Sequence, residues 1–120
     1  MATKTLGADN FETTLTENEI VIVDFWAAWC GPCVRFAPVF EQASEAHPDI
    51  VFGKVDTEAE RALASAAHIS SIPTLMVFKR GHLVFNQPGA LPAAALAQVV
   101  AAARDLDVDA ALAENAPAGS

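Results

Sequence analysis

Two cysteines stand at positions i and i+3 in one short string, Trp29-Cys30-Gly31-Pro32-Cys33, and the chain has no others. A strand-like run, Ile20 to Trp26, ends just before them, and a helical pattern begins just after. Thiols at this spacing fall one helical turn apart on a single face, close enough to bridge without straining the backbone. A thiol at the start of a helix also sits in the positive field of the aligned peptide dipoles, which favours its thiolate. The thiolate is the form that attacks disulfides, so the chemistry read most directly here is reversible dithiol–disulfide exchange.

At 120 residues the chain is long enough for one domain with its own core, and its 52% hydrophobic content fits a compact globular protein rather than a disordered one. Seven basic against 15 acidic residues give a net charge of −8. That argues against nucleic acid as a partner, because neutralising phosphates needs a basic patch. No segment reaches the length of a membrane span; the densest apolar run, Ile20 to Trp26, is interrupted by Asp24. The first residues, Met1 to Leu6, lack the charged-then-apolar pattern of a signal peptide. With Met1 as the start, the expectation is a cytoplasmic monomer, and in that compartment a lone CxxC is catalytic rather than structural.

Along the chain, Leu6 to Leu15 reads as a short helix, with Asp9 and Glu12 at capping-box spacing and Phe11 and Leu15 on one face. Ile20 to Trp26 is apolar on both alternating faces, as a central parallel strand should be. The helix after the cysteines places Phe36, Val39, Phe40 and Ala43 on one side and contains Pro38. Ile50 to Val55 is a second buried strand, and Thr57 and Glu60 mark a capping box for a helix to about Ala67. Thr74 to Phe78 is a strand. It turns through Lys79-Arg80-Gly81-His82, with Gly81 at positive φ, into an antiparallel partner at Leu83 to Phe85. Pro88-Gly89 breaks the chain before a last helix from Leu91 to Arg104, with Pro92 in its first turn. The alternation predicts an α/β fold: a central mixed sheet of about four to five strands with helices on both faces.

Several residues invite more than one reading. The cysteine pair could be an inert structural disulfide, but so short a loop gains little stability from closure. A zinc site needs four ligands, and His47, His68 and His82 show no ligand spacing near the pair. Asp105, Asp107 and Asp109 loosely echo a calcium loop, but Ala110 replaces its glycine and Ala116 its final ligand, so no metal is expected. Asp24 lies in mid-strand, where desolvation should raise its pKa and let it hold or accept a proton; the alternative is a buried salt bridge with Lys54. Gly31 and Pro32 set how the two sulfurs sit, since Pro32 gives no N–H and stiffens the turn.

The strings Val23-Asp24-Phe25-Trp26-Ala27-Ala28-Trp29-Cys30-Gly31-Pro32-Cys33, Phe36-Ala37-Pro38, Gly53-Lys54-Val55-Asp56 and Ser71-Ile72-Pro73-Thr74, with Gly81 and Gly89, closely resemble the thioredoxin family over about residues 3 to 104. The resemblance implies a thioredoxin fold over 1–106 with a short C-terminal extension at 107–120, partly helical or frayed. It implies a general protein-disulfide reductase, a thiol–disulfide oxidoreductase and electron carrier in cell redox homeostasis. Cys30 would be the nucleophile and the more exposed thiol. Cys33 would be the resolving cysteine, with Asp24 as its general base acting through water. Lys54 would modulate Asp24, and Gly31-Pro32 would tune the pair toward reduction. Pro73 would be a cis-proline turning the Ile72 backbone toward the sulfurs, where it pairs with a substrate strand; a trans proline opening an edge strand is the plainer alternative. Trp29 would line the substrate face and Trp26 pack beneath it, unless both are simply core.

The implied partners are disulfide-containing client proteins and a thioredoxin reductase that draws electrons from NADPH through a flavin. The chain has no nucleotide-binding glycine loop, so no bound cofactor is expected, only the redox-active Cys30–Cys33 disulfide. Departures from the family pattern are Val34 where Lys or Arg is usual, with Arg35 one position later, Ala67 and His68 where Tyr and Gly are common, and Ser71 where Gly is frequent. The first departure removes a charge from the rim, and the others bear on partner choice. Two rivals remain: a thiol oxidase or isomerase on the same fold, or a non-redox binding or holdase module using the apolar patch around Trp29, Val34, Ile72 and Pro73.

Overall fold

The computed structural model describes residues 2–110. Its five strands are β1 (Thr3–Thr5), β2 (Ile20–Trp26), β3 (Val51–Asp56), β4 (Thr74–Lys79) and β5 (His82–Pro88). Its helices are α1 (Phe11–Glu17), α2 (Gly31–Ala46), α3 (Arg61–Ala66) and α4 (Ala93–Asp105). The strands form one mixed sheet in the order β1-β3-β2-β4-β5. The first three run parallel, while β4 and β5 run antiparallel to their neighbours.

Helices cover both faces, as two hydrophobic clusters make plain. Ile20 and Ile22 of β2 meet Phe36 and Phe40 of α2 and Leu96 and Val100 of α4 on one face. Val21, Val23 and Phe25 point the other way, toward Leu15 of α1 and Leu63 and Ile69 in and after α3. β2 is therefore buried on both sides, which is why its run is nearly all apolar and why a carboxylate within it stands out.

The N-terminal region differs from expectation. β1, with the sequence Thr-Lys-Thr, has no apolar alternation to announce it, yet it pairs in parallel with Phe52, Gly53 and Lys54. Leu6 is core rather than helix, and α1 begins only at Phe11. Asp9 caps nothing there; instead the Gly7 N–H donates to Asn10 Oδ1 at 2.7 Å and shapes the turn. The capping box at Thr57 and Glu60 does not form either. The Thr57 hydroxyl donates to the Trp26 carbonyl at 3.0 Å, and the Glu60 carboxylate accepts the Ala8 N–H at 3.0 Å. Both side chains serve long-range partners, and α3 starts after them.

The β4–β5 turn carries two residues in the left-handed region, Arg80 at φ 52° and Gly81 at φ 81°, the pattern of a tight hairpin whose twist matches its strands. Lys79, which reads as a turn residue, is the buried last residue of β4. Its Nζ donates to the carbonyls of Ala103, Arg104 and Leu106 at 2.6, 3.0 and 2.7 Å, satisfying the exposed acceptors at the end of α4. Pro92 is the N-cap of α4 rather than part of its first turn. Past α4, Val108 is buried, Asp109 faces Arg80 at 3.4 Å, and Asp107 accepts the Ala110 N–H. Residues 108–110 are helical, and the rest of the extension, 111–120, lies outside the described residues.

Gly53 allows β1 and β3 to close on Leu6: a Cβ there would stand 2.8 Å from Leu6 Cγ and nearer still to Cδ1. Gly53→Ala should therefore destabilise the fold by about 1–3 kcal/mol through overpacking, read as a lower urea midpoint with an unchanged slope.

Candidate active site

β2 delivers the chain to the start of α2, and Cys30 is the helix N-cap, with extended backbone at φ −87° and ψ 111°. Cys30 and Cys33 are joined as a disulfide with their Cα atoms 5.2 Å apart. The Cys33 N–H donates to Cys30 Sγ at 3.2 Å, so the sulfur takes the place that a Ser or Asp oxygen takes in an ordinary cap. Pro32, in the first turn, has no N–H to offer, which leaves the Cys33 amide as the donor turned onto the sulfur. A donor N–H and the helix dipole both stabilise negative charge at Cys30 once the bridge is reduced. In the oxidised state both cysteines are buried, Cys30 at 4% exposure and Cys33 at 2%, so the difference expected between them is small here.

Ile72 and Pro73 join the site from the far side. The Ile72–Pro73 peptide bond is cis, and the Ile72 carbonyl oxygen lies 3.7 Å from Cys30 Sγ. Two bonds hold this edge: the Gly89 N–H donates to the Pro73 carbonyl at 2.8 Å, and the Thr74 hydroxyl to the Ser71 carbonyl at 2.6 Å. Trp29 stands out at 70% exposure, while Trp26 is half-buried and packs with Ile72 on Ala27, Cys30 and Cys33. Val34 is exposed as well. The charge that Val34 lacks is returned by Arg35: its Nη1 lies 3.3 Å from where a Gly31 Cβ would stand, so the guanidinium folds back over the start of α2. The i+4 spacing from Gly31 carried that signal, because helical side chains lean toward the N-terminus.

Asp24 is 1% exposed on the α2 side of β2, and neither carboxylate oxygen has a hydrogen-bond partner among the described residues. Burial pushes its pKa up from 3.8 to about 7, against the opposing pull of Lys54. Lys54 sits opposite Asp24 in the β2–β3 register, but its Nζ lies over the Trp26 ring, 4.8 Å from the centroid. The described residues contain no Asp24–Lys54 ion pair, so the purely structural salt bridge is not what occupies this position.

The thioredoxin family model matches residues 2–102. The chain belongs to the thioredoxin family. A protein of Streptomyces coelicolor named as a thioredoxin 2 is 59% identical over 108 residues, spanning 90% of this chain and 81% of its own length. Thioredoxin-1 of Saccharomyces cerevisiae is 39% identical over 102 residues, covering 85% of this chain and 98% of the yeast protein. A solved thioredoxin structure from Plasmodium falciparum superposes with a TM-score of 0.77 at 38% identity, covering 82% of this chain and 97% of that one. The five-stranded mixed sheet with its helices is the thioredoxin fold. This thioredoxin is a thiol–disulfide oxidoreductase with protein-disulfide reductase activity, and its redox-active group is the Cys30–Cys33 pair.

The buried acid makes stability depend on pH in a direction opposite to that of a salt-bridged carboxylate. Asp24 binds its proton more tightly when folded, so its stabilising contribution is complete below about pH 4 and lost as pH rises to about 7. The span from 3.8 to about 7 corresponds to about 4 kcal/mol. Asp24→Asn, which cannot ionise, should flatten this fall: urea unfolding of the oxidised protein should show the variant gaining on the parent between pH 5 and pH 8. Parallel curves would show that Asp24 ionises as readily folded as unfolded.

Proposed function

We propose that this thioredoxin is an electron carrier that reduces disulfides in client proteins of the cytoplasm as a monomer, and that an NADPH-dependent thioredoxin reductase recharges it through a flavin. The observation that carries the reading is the N-cap position of Cys30, whose sulfur accepts the Cys33 N–H beside the open Ile72 carbonyl edge. A dithiol that spends electrons on clients must work where reducing equivalents are supplied, which favours the cytoplasm. We take residues 1–106 as the catalytic domain and 107–120 as an appendage to it.

In the forward cycle, the Cys30 thiolate attacks one sulfur of a client disulfide. The client S–S bond breaks, the second client sulfur leaves as a thiolate and takes a proton, and Cys30 is held in a mixed disulfide. Cys33 then loses its proton to Asp24 through a water molecule and attacks Cys30 Sγ. The mixed disulfide breaks, the reduced client departs, and Cys30 and Cys33 are left oxidised by two electrons. The reductase returns those two electrons, and neither flavin nor nicotinamide need bind this chain.

The remaining residues support these steps. Asp24, whose pKa burial raises to about 7, is suited to take a proton near neutral pH. Lys54, facing it from β3, opposes the rise in that pKa. Gly31 and Pro32 keep the turn short and leave the Cys33 amide as the donor to sulfur. Trp29 and the Ile72–Pro73 edge bind the client, with the Ile72 main chain pairing with an extended client segment, so affinity comes with little demand on sequence.

Two outcomes test the roles. Cys33→Ser should leave the first attack intact and trap the client as a mixed disulfide visible by non-reducing electrophoresis, whereas Cys30→Ser should form no adduct; adducts with both variants would contradict the assignment. Asp24→Asn should slow client release by at least about tenfold near pH 7 and remove the limb of the pH–rate profile near that value. An unchanged profile would assign the proton to another acceptor.

A further inference from the structure

The turn between α3 and β4 leads directly into the Ile72–Pro73 edge, and beside it lies a hollow of about 180 Å3. His68, Ser70 and Ser71 line it from the turn, and Thr74, Asn86 and Pro88 from the edge of the sheet. Its frame is pinned. The His68 N–H donates to the Ser65 carbonyl at 3.0 Å and the Ile69 N–H to the Ala64 carbonyl at 3.1 Å, closing α3. The Thr74 hydroxyl fixes Ser71 from the other side. Among the described residues, the His68 ring, the Ser70 and Ser71 hydroxyls and the Asn86 amide make no hydrogen bond, and none of the lining residues is acidic.

His68 adds a second observation. It follows the C-cap of α3 with φ 58°, in the left-handed region where glycine sits free of strain. The cap bonds to Ser65 and Ala64 hold this conformation, and it sets an imidazole in the lining of the hollow. The ring presents an N–H in either protonation state. Four side chains able to donate hydrogen bonds, with no carboxylate among them, suit an acidic group. In a chain of net charge −8 such a spot differs from the surface average.

We propose that this hollow is a specificity subsite that takes the carboxylate of an Asp or Glu side chain on the client segment, two or three residues from the cysteine under attack. The inference rests on the reductase reading, because it requires the client strand to lie along Ile72. The hollow adjoins the site in sequence: Ser71 in its lining precedes the residue whose carbonyl is 3.7 Å from Cys30 Sγ, and extended chain advances about 3.3 Å per residue. The acidic side chain accepts hydrogen bonds from the hollow and adds to binding without touching the exchange chemistry.

The test is a series of disulfide-linked peptides differing only by Ala, Gln or Glu at each of the three positions on either side of the cysteine, with the rate constant for reduction measured for each. Glu at one or two positions should be reduced about five- to tenfold faster than Ala or Gln, the gain expected of a partly exposed charge-assisted hydrogen bond. In the double variant His68→Gly and Ser70→Ala, that preference should vanish while the all-Ala peptide is reduced at the parent rate. His68→Gly relieves the backbone strain, so the variant should fold. Asn86→Ala, on β5 and clear of the Ile72 main chain, should lose part of the same preference. A lack of Glu preference at every position, Gln performing as well as Glu, or a preference that survives the double variant would each overturn the subsite. Failure to reduce even the all-Ala peptide would overturn the reductase reading itself.

Discussion

The site depends on one local interaction, the N-cap of α2 made by a sulfur. β2 ends, the chain turns, and the Cys33 amide in the first turn of α2 points at Cys30 Sγ. That arrangement sets the pair at bridging distance and biases the outer sulfur toward the charged form, so the same few peptide groups serve structure and chemistry. The rest of the fold holds those groups still. β2 is clamped between β3 and β4 and buried by helices on both faces, while the Ile72 edge is fixed to β5 through Gly89. These contacts keep the start of α2 and the Ile72 edge in place relative to one another.

Asp24 works in the opposite sense. An unpaired carboxylate in the central strand is costly when ionised, and Lys54, drawn to the Trp26 face, does not relieve it with an ion pair. A residue chosen for stability alone would be apolar at this position. The fold tolerates the acid because the surrounding clusters are extensive and because the proton can be kept. That option is what the proposed proton transfer from Cys33 draws on.

Much of this could be read from the residues. The doubly apolar strand, the cysteine pair at a strand–helix junction and the mid-strand acid all carry local signals, and each stands where those signals place it. What escaped had non-local causes. β1 is three polar residues whose strand character comes wholly from pairing with β3. Thr57 and Glu60 have capping spacing, but bonds to Trp26 and Ala8 claim their side chains. Lys79 beside a turn reads as solvent-facing, yet the carbonyls it satisfies lie 24 to 27 residues later in the chain. Two local features were also passed over: Arg35 folds over Gly31 at i+4 spacing, and His68 takes positive φ where α3 is capped.

The central claim is that the Cys30–Cys33 pair is poised to give electrons rather than to take them. Its most direct test is an equilibrium titration of the pair against a dithiol redox buffer, followed by the fluorescence of Trp26 and Trp29. A single two-electron transition with a midpoint below the cytosolic glutathione poise, about −220 to −260 mV by extraction, is the expected result. A midpoint above that range would make the protein an oxidant or isomerase and contradict the account.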